Sequence, residues 1–121
     1  MKKMEIFTHN GNINTKLELL DFASKAESLG AGEIIFNSID NDGTASGFDE
    51  NLAAKALDKV SIPITILGGC SSSDDISDLF SKYGIIGACA GSFFVFKGKY
   101  KAVLINYPQN EEKNKILASK K

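Results

Sequence analysis

Three segments of this 121-residue sequence place glycine in the turn that follows an apolar run, and together they predict an anion-binding site. The first is the acidic turn 40–44, which follows the run that begins at Glu33; the second is Gly68-Gly69 and the third is Gly91-Ser92. If the runs are parallel strands, their carboxyl ends meet on one face, where α/β proteins bind ligands. Backbone N–H groups at that face would hold a phosphate, and the candidate donors are Gly43, Gly69, Gly91 and Ser92.

Each of these residues also has a simpler structural interpretation. A single glycine is better explained by a tight turn that needs a positive φ angle, and only the convergence of three favours a site. Asp40 and Asp42 fit an Asx-type turn, or else an acid, base or hydroxyl acceptor facing a substrate. Asn37, late in the preceding strand, would be a buried amide in need of partners. Glu33, at the other end of that strand, would ordinarily form a surface ion pair.

The histidine and the cysteines add no recognisable catalytic group. His9, the only histidine, lies beside a turn signal and is interpreted as a turn residue. Cys70 lies near an expected helix start, which could lower its pKa, but no base is paired with it and we treat it as inert. Neither Cys70 nor Cys89 has the spacing of a metal ligand, so no metal ion is expected. No cofactor is expected either.

Alternation of strand and helix patterns positions these residues. Residues 4–8 alternate as in a strand, and Asn10-Gly11 is a strong turn signal. Thr15 and Glu18 match a capping box that would begin a helix. Gly30 would end that helix, and a strand is predicted over 33–38.

The second half of the sequence repeats the same unit. Asp49 is predicted to cap a helix, and Ser72 or Ser73 another, which Gly84 ends. Buried strands are predicted over 64–67 and 85–90. The inward face of the second helix is predicted to be Leu52, Ala53, Ala56, Leu57 and Val60. The inward faces of the strands are predicted to be Ile35, Asn37, Ile64, Ile66 and Ile86.

Units of roughly 25–30 residues predict an α/β fold with a parallel sheet joined by crossover helices. After Ser92 the pattern changes, and residues 93–107 suggest a hairpin or an extended return segment that Pro108 ends. We therefore expect one domain over 1–108 and a polar tail over 109–121 that is either mobile or weakly helical.

Composition excludes several classes of function. The net charge is −1, which gives no basis for attraction to nucleic acid or to a membrane surface. No apolar run approaches the roughly 20 residues of a membrane span, and Met1-Lys2-Lys3 precedes a strand pattern and not a signal-peptide core, so a cytoplasmic location is expected. The sequence has no arginine, and any phosphate would be held by amides, hydroxyls or lysines.

The segment GAGEIIFNSIDNDGTASGFD, residues 30–49, strongly resembles the cyclase subunit of imidazole glycerol phosphate synthase, whose pattern is close to GAGEILLxSIDxDGTxxGyD. The later segments PI-x-x-x-GG and GACAGSFF fall at the next two strand ends of that family, and the resemblance runs from about Met4 to Phe96. It implies a (βα)8 barrel that takes ammonia from a glutaminase partner. The ammonia is joined to a phosphorylated ribulosyl-formimino-carboxamide nucleotide, a step of histidine biosynthesis. An imidazole ring then closes and the nucleotide is cleaved.

The resemblance also implies roles for single residues. Asp42 matches an active-site aspartate, and Asn37 stands where a threonine is usual, so both are candidate catalytic residues. Gly43, Gly69, Gly91 and Ser92 match positions that cradle a substrate phosphate. Glu33 matches a glutamate of the charged ring that gates ammonia at the barrel bottom.

Departures from the family pattern define the alternatives. The two principal catalytic aspartates lie on strands that precede Met4 in the family layout, so we expect a piece of a barrel, strands six to eight, that is inactive alone and needs the missing half or self-association. Leu67 replaces a usual serine. The ending FFVFKGKYKAVLINYP resembles a paralogous branch that is associated with sugar amidation for surface polysaccharides. A non-catalytic flavodoxin-like binding or assembly module is the third possibility.

Overall fold

A computed structural model describes residues 4–84, 86–98 and 100–118. The chain begins with an antiparallel hairpin, continues with three strand–helix units and ends with a second small hairpin and a helix. In chain order the elements are β1 (Glu5–Thr8), β2 (Ile13–Glu18), α1 (Leu19–Ser28), β3 (Ile34–Asn37), α2 (Glu50–Lys59), β4 (Ile64–Leu67), α3 (Ser73–Tyr83), β5 (Gly87–Cys89), α4 (Ser92–Val95), β6 (Phe96–Lys97), β7 (Ala102–Val103) and α5 (Asn110–Ala118).

The three central strands form a parallel sheet in the order β3-β4-β5, which confirms the predicted α/β class. Ile34 pairs with Ile64 and Asn37 with Leu67, so the ends of β3 and β4 are level. Leu67 pairs in turn with Cys89 at the end of β5. Among the described residues the outer edges of β3 and β5 pair with no further strand, so the sheet is open where a complete barrel would be closed.

The two faces of this sheet differ from the prediction. Ile64, Ile66 and Ile86 are buried, and they belong to the core beneath the helices together with Phe36, Ala53 and Leu79. The opposite face carries Ile35, which is 60 % exposed. Because Ile35 pairs with Thr65 and side chains alternate along a strand, Ile64 and Ile66 point away from Ile35 and Asn37. Assigning all five residues to one inward face was wrong.

The first helix begins later than its predicted cap. Thr15 lies inside β2, and its hydroxyl donates to the Ile6 carbonyl at 2.7 Å, so it does not begin a helix. Glu18 is the N-cap instead, since its carboxylate accepts from the Asp21 N–H at 2.9 Å. The Asn10-Gly11 turn is confirmed, and pairing of β1 with β2 holds Thr15 in the strand. Gly30 follows the helix with a φ of +96°, as predicted.

The caps of the two following helices agree with the sequence. Asp49 accepts from the Leu52 N–H at 2.9 Å and begins α2. Ser72 and Asp75 form a reciprocal capping box at the start of α3, which ends at Gly84. The assignment of Leu57 to the inward face of the second helix was wrong. Leu57 is 38 % exposed, while the other residues predicted for that face are buried.

The last part of the chain confirms one of the two predicted alternatives. After Ser92 the hairpin is present as β6 and β7, and the one helical turn that precedes it, α4, was not predicted. The predicted strand 85–90 and the tail 109–121 both include residues outside the described ones, namely Ile85 and 119–121. Within the described part, α5 is helical and Ile116 is buried in the core cluster.

Glu27 joins the end of α1 to the entry of β4, and we expect this contact to make stability depend on pH. Its carboxylate accepts from the Ser61 hydroxyl at 2.5 Å, the Ser61 N–H at 2.9 Å and the Ile62 N–H at 3.2 Å. The Ser61 hydroxyl, then the Ser61 and Ile62 N–H groups, hold the pKa of Glu27 below its ordinary value. A lowered folded-state pKa stabilises the fold above the unfolded-state pKa, and this contribution is lost as the pH falls through the folded value.

We therefore expect the melting temperature of the wild type to exceed that of Glu27→Gln at pH 7. The difference should shrink as the pH falls below roughly 4.3, the ordinary value for glutamate. Circular-dichroism melts between pH 7 and pH 3 measure it, with Glu111→Gln, on the exposed start of α5, as the matched control. A difference that does not change with pH would contradict this role of Glu27.

Candidate functional site

The carboxyl ends of β3, β4 and β5 surround a small open pocket. Its volume is about 240 Å³, including the solvent-filled mouth. The lining residues come from three loops: Asp42, Gly43, Ala45, Leu67, Gly68, Gly69, Cys70, Cys89, Ala90, Gly91 and Ser92. The structure therefore brings together Asp42 and all four predicted phosphate-binding residues.

The first loop, residues 38–47, is folded back on the end of its own strand. The Ser38 carbonyl accepts from the N–H groups of Asn41 at 3.1 Å and Asp42 at 2.9 Å. The Thr44 hydroxyl donates to the Asn41 carbonyl at 2.6 Å. These bonds hold Asp42 and Gly43 in a tight turn at the mouth of the pocket, with Gly43 at a φ of +73°.

The second loop crosses directly beneath the first. Gly68 and Gly69 both have positive φ angles, 102° and 98°. A Cβ on Gly68 would lie 2.6 Å from the Ser38 carbonyl oxygen, and one on Gly69 would lie 2.0 Å from the Gly47 carbonyl oxygen. The Gly47 N–H also donates to the Gly69 carbonyl at 2.9 Å. The glycine pair is required both by its backbone conformation and by the close approach of the neighbouring loop.

Gly91 and Ser92 complete the pocket at the start of α4. Gly91 is the N-cap with a φ of −100°, which other residues can adopt. A Cβ added to Gly91 would meet no atom within 4 Å, so its side faces open space at the pocket. The Phe94 N–H donates to the Gly91 carbonyl at 3.0 Å and closes the single helical turn.

Asn37 and Glu33 lie elsewhere. Asn37 is exposed and lines a second, larger and mainly apolar groove of about 580 Å³ along the free edge of β3, together with Ile6, Leu19, Phe22, Ala23, Ala26, Ile34, Ile35 and Phe36. The expectation that its amide is buried was therefore wrong, because in the described part of the chain no strand covers this edge. Glu33, before the start of β3, accepts from the Thr65 hydroxyl at 2.7 Å.

Sequence reasoning missed Thr65, Gly87 and Asn41. Thr65 is buried, and its hydroxyl donates to the Glu33 carboxylate. A Cβ added to Gly87 would lie 1.9 Å from the Thr65 hydroxyl oxygen. Asn41 donates from its side chain to the Gly47 carbonyl at 3.2 Å. A threonine inside an apolar strand was the only sequence signal for Thr65. The register that places Gly87 beside it is visible only in the structure, and Asn41 gave no signal beyond its place in the turn.

The Cys70 thiol lines the pocket but is not an activated nucleophile. Burial raises the pKa of the Cys70 thiol to about 11, and the nearby Asp75 carboxylate makes a smaller contribution in the same direction. The possibility that a helix start lowers this pKa was therefore wrong, and the thiol stays protonated at neutral pH. His9 has a φ of 53° and is confirmed as a turn residue. Among the described residues, no group of three or more His, Cys, Asp or Glu could hold a metal ion.

Comparison with known proteins gives the context of this pocket. A sequence model of the family described as "Histidine biosynthesis protein" matches residues 1–101. A Vibrio vulnificus protein, named provisionally as an imidazole glycerol phosphate synthase subunit, is 47 % identical over 115 residues, which are 95 % of this chain and 44 % of that protein. A Leptospira borgpetersenii protein with the same provisional name is also 47 % identical, over 95 % of this chain and 45 % of its own length.

A third relative is the imidazole glycerol phosphate synthase subunit HisF of Nitrosopumilus maritimus, which is 40 % identical over 78 % of this chain and 36 % of its own length. The chain thus spans less than half the length of these curated relatives. In the described part of the chain, no helix combines the length and apolar character needed to cross a bilayer.

Proposed function

This chain belongs to the histidine biosynthesis protein family, which includes cyclase subunits of imidazole glycerol phosphate synthase, and we propose that it forms the phosphate-binding part of an ammonia-using cyclase barrel. The observation that carries the proposal is the pocket itself. Three consecutive parallel strands bring Gly43, Gly69, Gly91 and Ser92 to one small opening.

Such a pocket would bind an anion through its backbone. Amide dipoles that point into a shared depression bind phosphate without a positively charged side chain. This mode suits a chain that has no arginine, and none of the pocket-lining residues is a lysine or histidine. We propose that one phosphate of a phosphorylated ribulosyl-formimino-carboxamide nucleotide is held here. Asp42, at the rim, would then face the reacting part of the substrate as an acid, base or hydroxyl acceptor.

The proposal extends to Asn37 and Glu33. Asn37 lies on the face of the sheet that would become the barrel interior, and its amide would contact substrate once that interior is enclosed. Glu33 lies at the opposite end of the same strand. A glutaminase partner that docks at that end would deliver ammonia past Glu33, whose carboxylate is already oriented by Thr65.

Closure of the barrel would require a second polypeptide segment. Ile35 is 60 % exposed beside the free edge of β3, and Val103 is 75 % exposed beyond β5. Exposed sheet edges and apolar faces favour association. We propose that residues 1–108 form the cyclase-like domain and supply strands six to eight of a barrel. The other strands of that barrel would cover the free edges of β3 and β5.

A phosphate titration tests the anion site. Adding inorganic phosphate should shift the amide resonances of Gly43, Gly69, Gly91 and Ser92, with a dissociation constant in the millimolar range, equivalent to about 4 kcal/mol. Gly91→Val should weaken this affinity at least about tenfold, because a branched side chain fills the approach to the amides. Its Cβ meets no neighbour in the protein, so the fold should persist.

Gly32→Val is the matched control for this titration. Gly32 also has open space around its added Cβ, but it lies before the start of β3, at the opposite end of the sheet. This variant should bind phosphate as the wild type does. A wild-type protein whose resonances near the three loops do not respond to phosphate would contradict the proposed site.

A second candidate keeps the fold and changes the substrate. The ending at residues 93–108, which includes the β6–β7 hairpin, resembles the branch that acts in sugar amidation for surface polysaccharides. In that case the pocket would bind the same kind of anion on a different substrate. Comparing turnover of the nucleotide substrate with ammonia-dependent amidation of an activated sugar would separate the two functions.

A further inference from the structure

The side chain of Asn41 crosses the loop that carries Asp42 and Gly43. Its amide nitrogen donates to the Gly47 carbonyl at 3.2 Å, which joins the beginning of the loop to its end. Asn41 is partly buried, while the neighbouring residues 42–46 are exposed. The amide of Asn41 is therefore directed across the loop toward Gly47.

The residue that Asn41 contacts is the one that docks the loop on the second strand. The Gly47 N–H donates to the Gly69 carbonyl at 2.9 Å. A Cβ on Gly69 would lie 2.0 Å from the Gly47 carbonyl oxygen and 3.2 Å from the Asn41 Cβ. Asn41, Gly47 and Gly69 thus form one contact layer under the pocket, which links the loop after β3 to the loop after β4.

The rest of the loop depends on the backbone of Asn41 as well. Its carbonyl accepts from the Thr44 N–H at 3.1 Å and from the Thr44 hydroxyl at 2.6 Å. Thr44 in turn exchanges a hydroxyl hydrogen bond of 2.6 Å with Ser46. These bonds shape the middle of the loop, whereas the side-chain bond from Asn41 to Gly47 joins its two ends.

We infer that Asn41 is a positioning residue for the anion pocket, one that holds Asp42 and Gly43 in register with Gly69; the inference rests on the proposed function. Binding by backbone amides depends on several N–H groups that converge on one point. Because no cationic side chain lines the pocket, a displaced loop has no compensating attraction for the anion. The amide of Asn41 thus contributes to binding without contacting the ligand.

The experiment compares Asn41→Ala with wild type in the absence and presence of inorganic phosphate. Without phosphate, hydrogen exchange of the Gly47 amide should accelerate up to about tenfold, and the Asp42 and Gly43 resonances should shift, because one hydrogen bond across the loop is lost. Phosphate affinity should fall by a similar factor. Asn41→Gln keeps the amide group on a longer side chain and should restore part of both properties.

Asn51→Ala is the matched control, because Asn51 lies on the exposed face of α2 and away from the pocket. It should change neither exchange at Gly47 nor phosphate affinity. Unchanged exchange and unchanged affinity in Asn41→Ala would overturn the inference. Faster exchange at Gly47, with no response to phosphate in either protein, would support the loop contact and contradict the proposed anion site.

Discussion

Gly69→Ala is expected to destabilise the protein by about 2–4 kcal/mol and to abolish phosphate binding. Gly69 has a φ of +98°, and the added Cβ would lie 2.0 Å from the Gly47 carbonyl oxygen. That oxygen is backbone, so the whole acidic loop would have to move to relieve the contact. The move would break the bond from the Gly47 N–H to the Gly69 carbonyl and separate Asp42 and Gly43 from the other amides.

Urea unfolding measures the free energy, and the phosphate titration measures the site. Gly91→Ala is the control for the unfolding measurement, because its φ is −100° and its added Cβ has no neighbour within 4 Å. As the N-cap of the short helix α4, Gly91 should tolerate alanine at a cost below about 1 kcal/mol. If Gly69→Ala were as stable as Gly91→Ala, the close approach of the two loops would not be what requires glycine.

The second large effect concerns turnover. We expect the isolated chain to show no detectable ammonia-dependent conversion of the ribulosyl-formimino-carboxamide nucleotide. Under the proposed function, the principal acid and base belong to the other half of the barrel, and such groups typically contribute about 10²–10⁴-fold each. Co-expression with the part of the Vibrio vulnificus relative that has no counterpart in this chain should restore turnover and improve solubility.

Asp42→Asn in the co-expressed complex is the informative variant, because it keeps the size of the side chain and removes its charge. It should lower turnover in the complex while leaving co-purification of the two parts intact. Measurable turnover by the purified chain alone would contradict the proposal. Analytical ultracentrifugation could instead show a stable monomer, and urea titration could show that this monomer unfolds cooperatively. That result would favour the non-catalytic binding or assembly module.

Local sequence signals were enough to predict the helix caps, the first turn and the helix ends. The Asp49 and Ser72 caps, the Asn10-Gly11 turn and the ends at Gly30 and Gly84 are all where the sequence predicts them. Each depends on a side chain or a φ angle that acts within a few residues. The parallel strands were predictable for the same reason, since each is a short apolar run between turn signals.

Competing local signals were not resolved by sequence alone. Thr15 and Glu18 fit a capping box, yet the pairing of β2 with β1 places Thr15 in a strand. Continuous apolar strands also hide which face each residue occupies, because nothing in the run alternates. The register of Ile35 with Thr65 decided that Ile64 and Ile66 pack under the helices.

The sequence by itself determined which residues could form an anion site, because glycine after a parallel strand predicts both the turn and the face on which it lies. Only the tertiary structure decided that the loops touch: the Gly47–Gly69 contact, the bond from the Asn41 amide to Gly47 and the Thr65–Glu33 bond all join residues from different parts of the chain or across a loop. Such contacts depend on how strands align and how closely backbones approach. Composition and spacing along one chain do not encode either quantity.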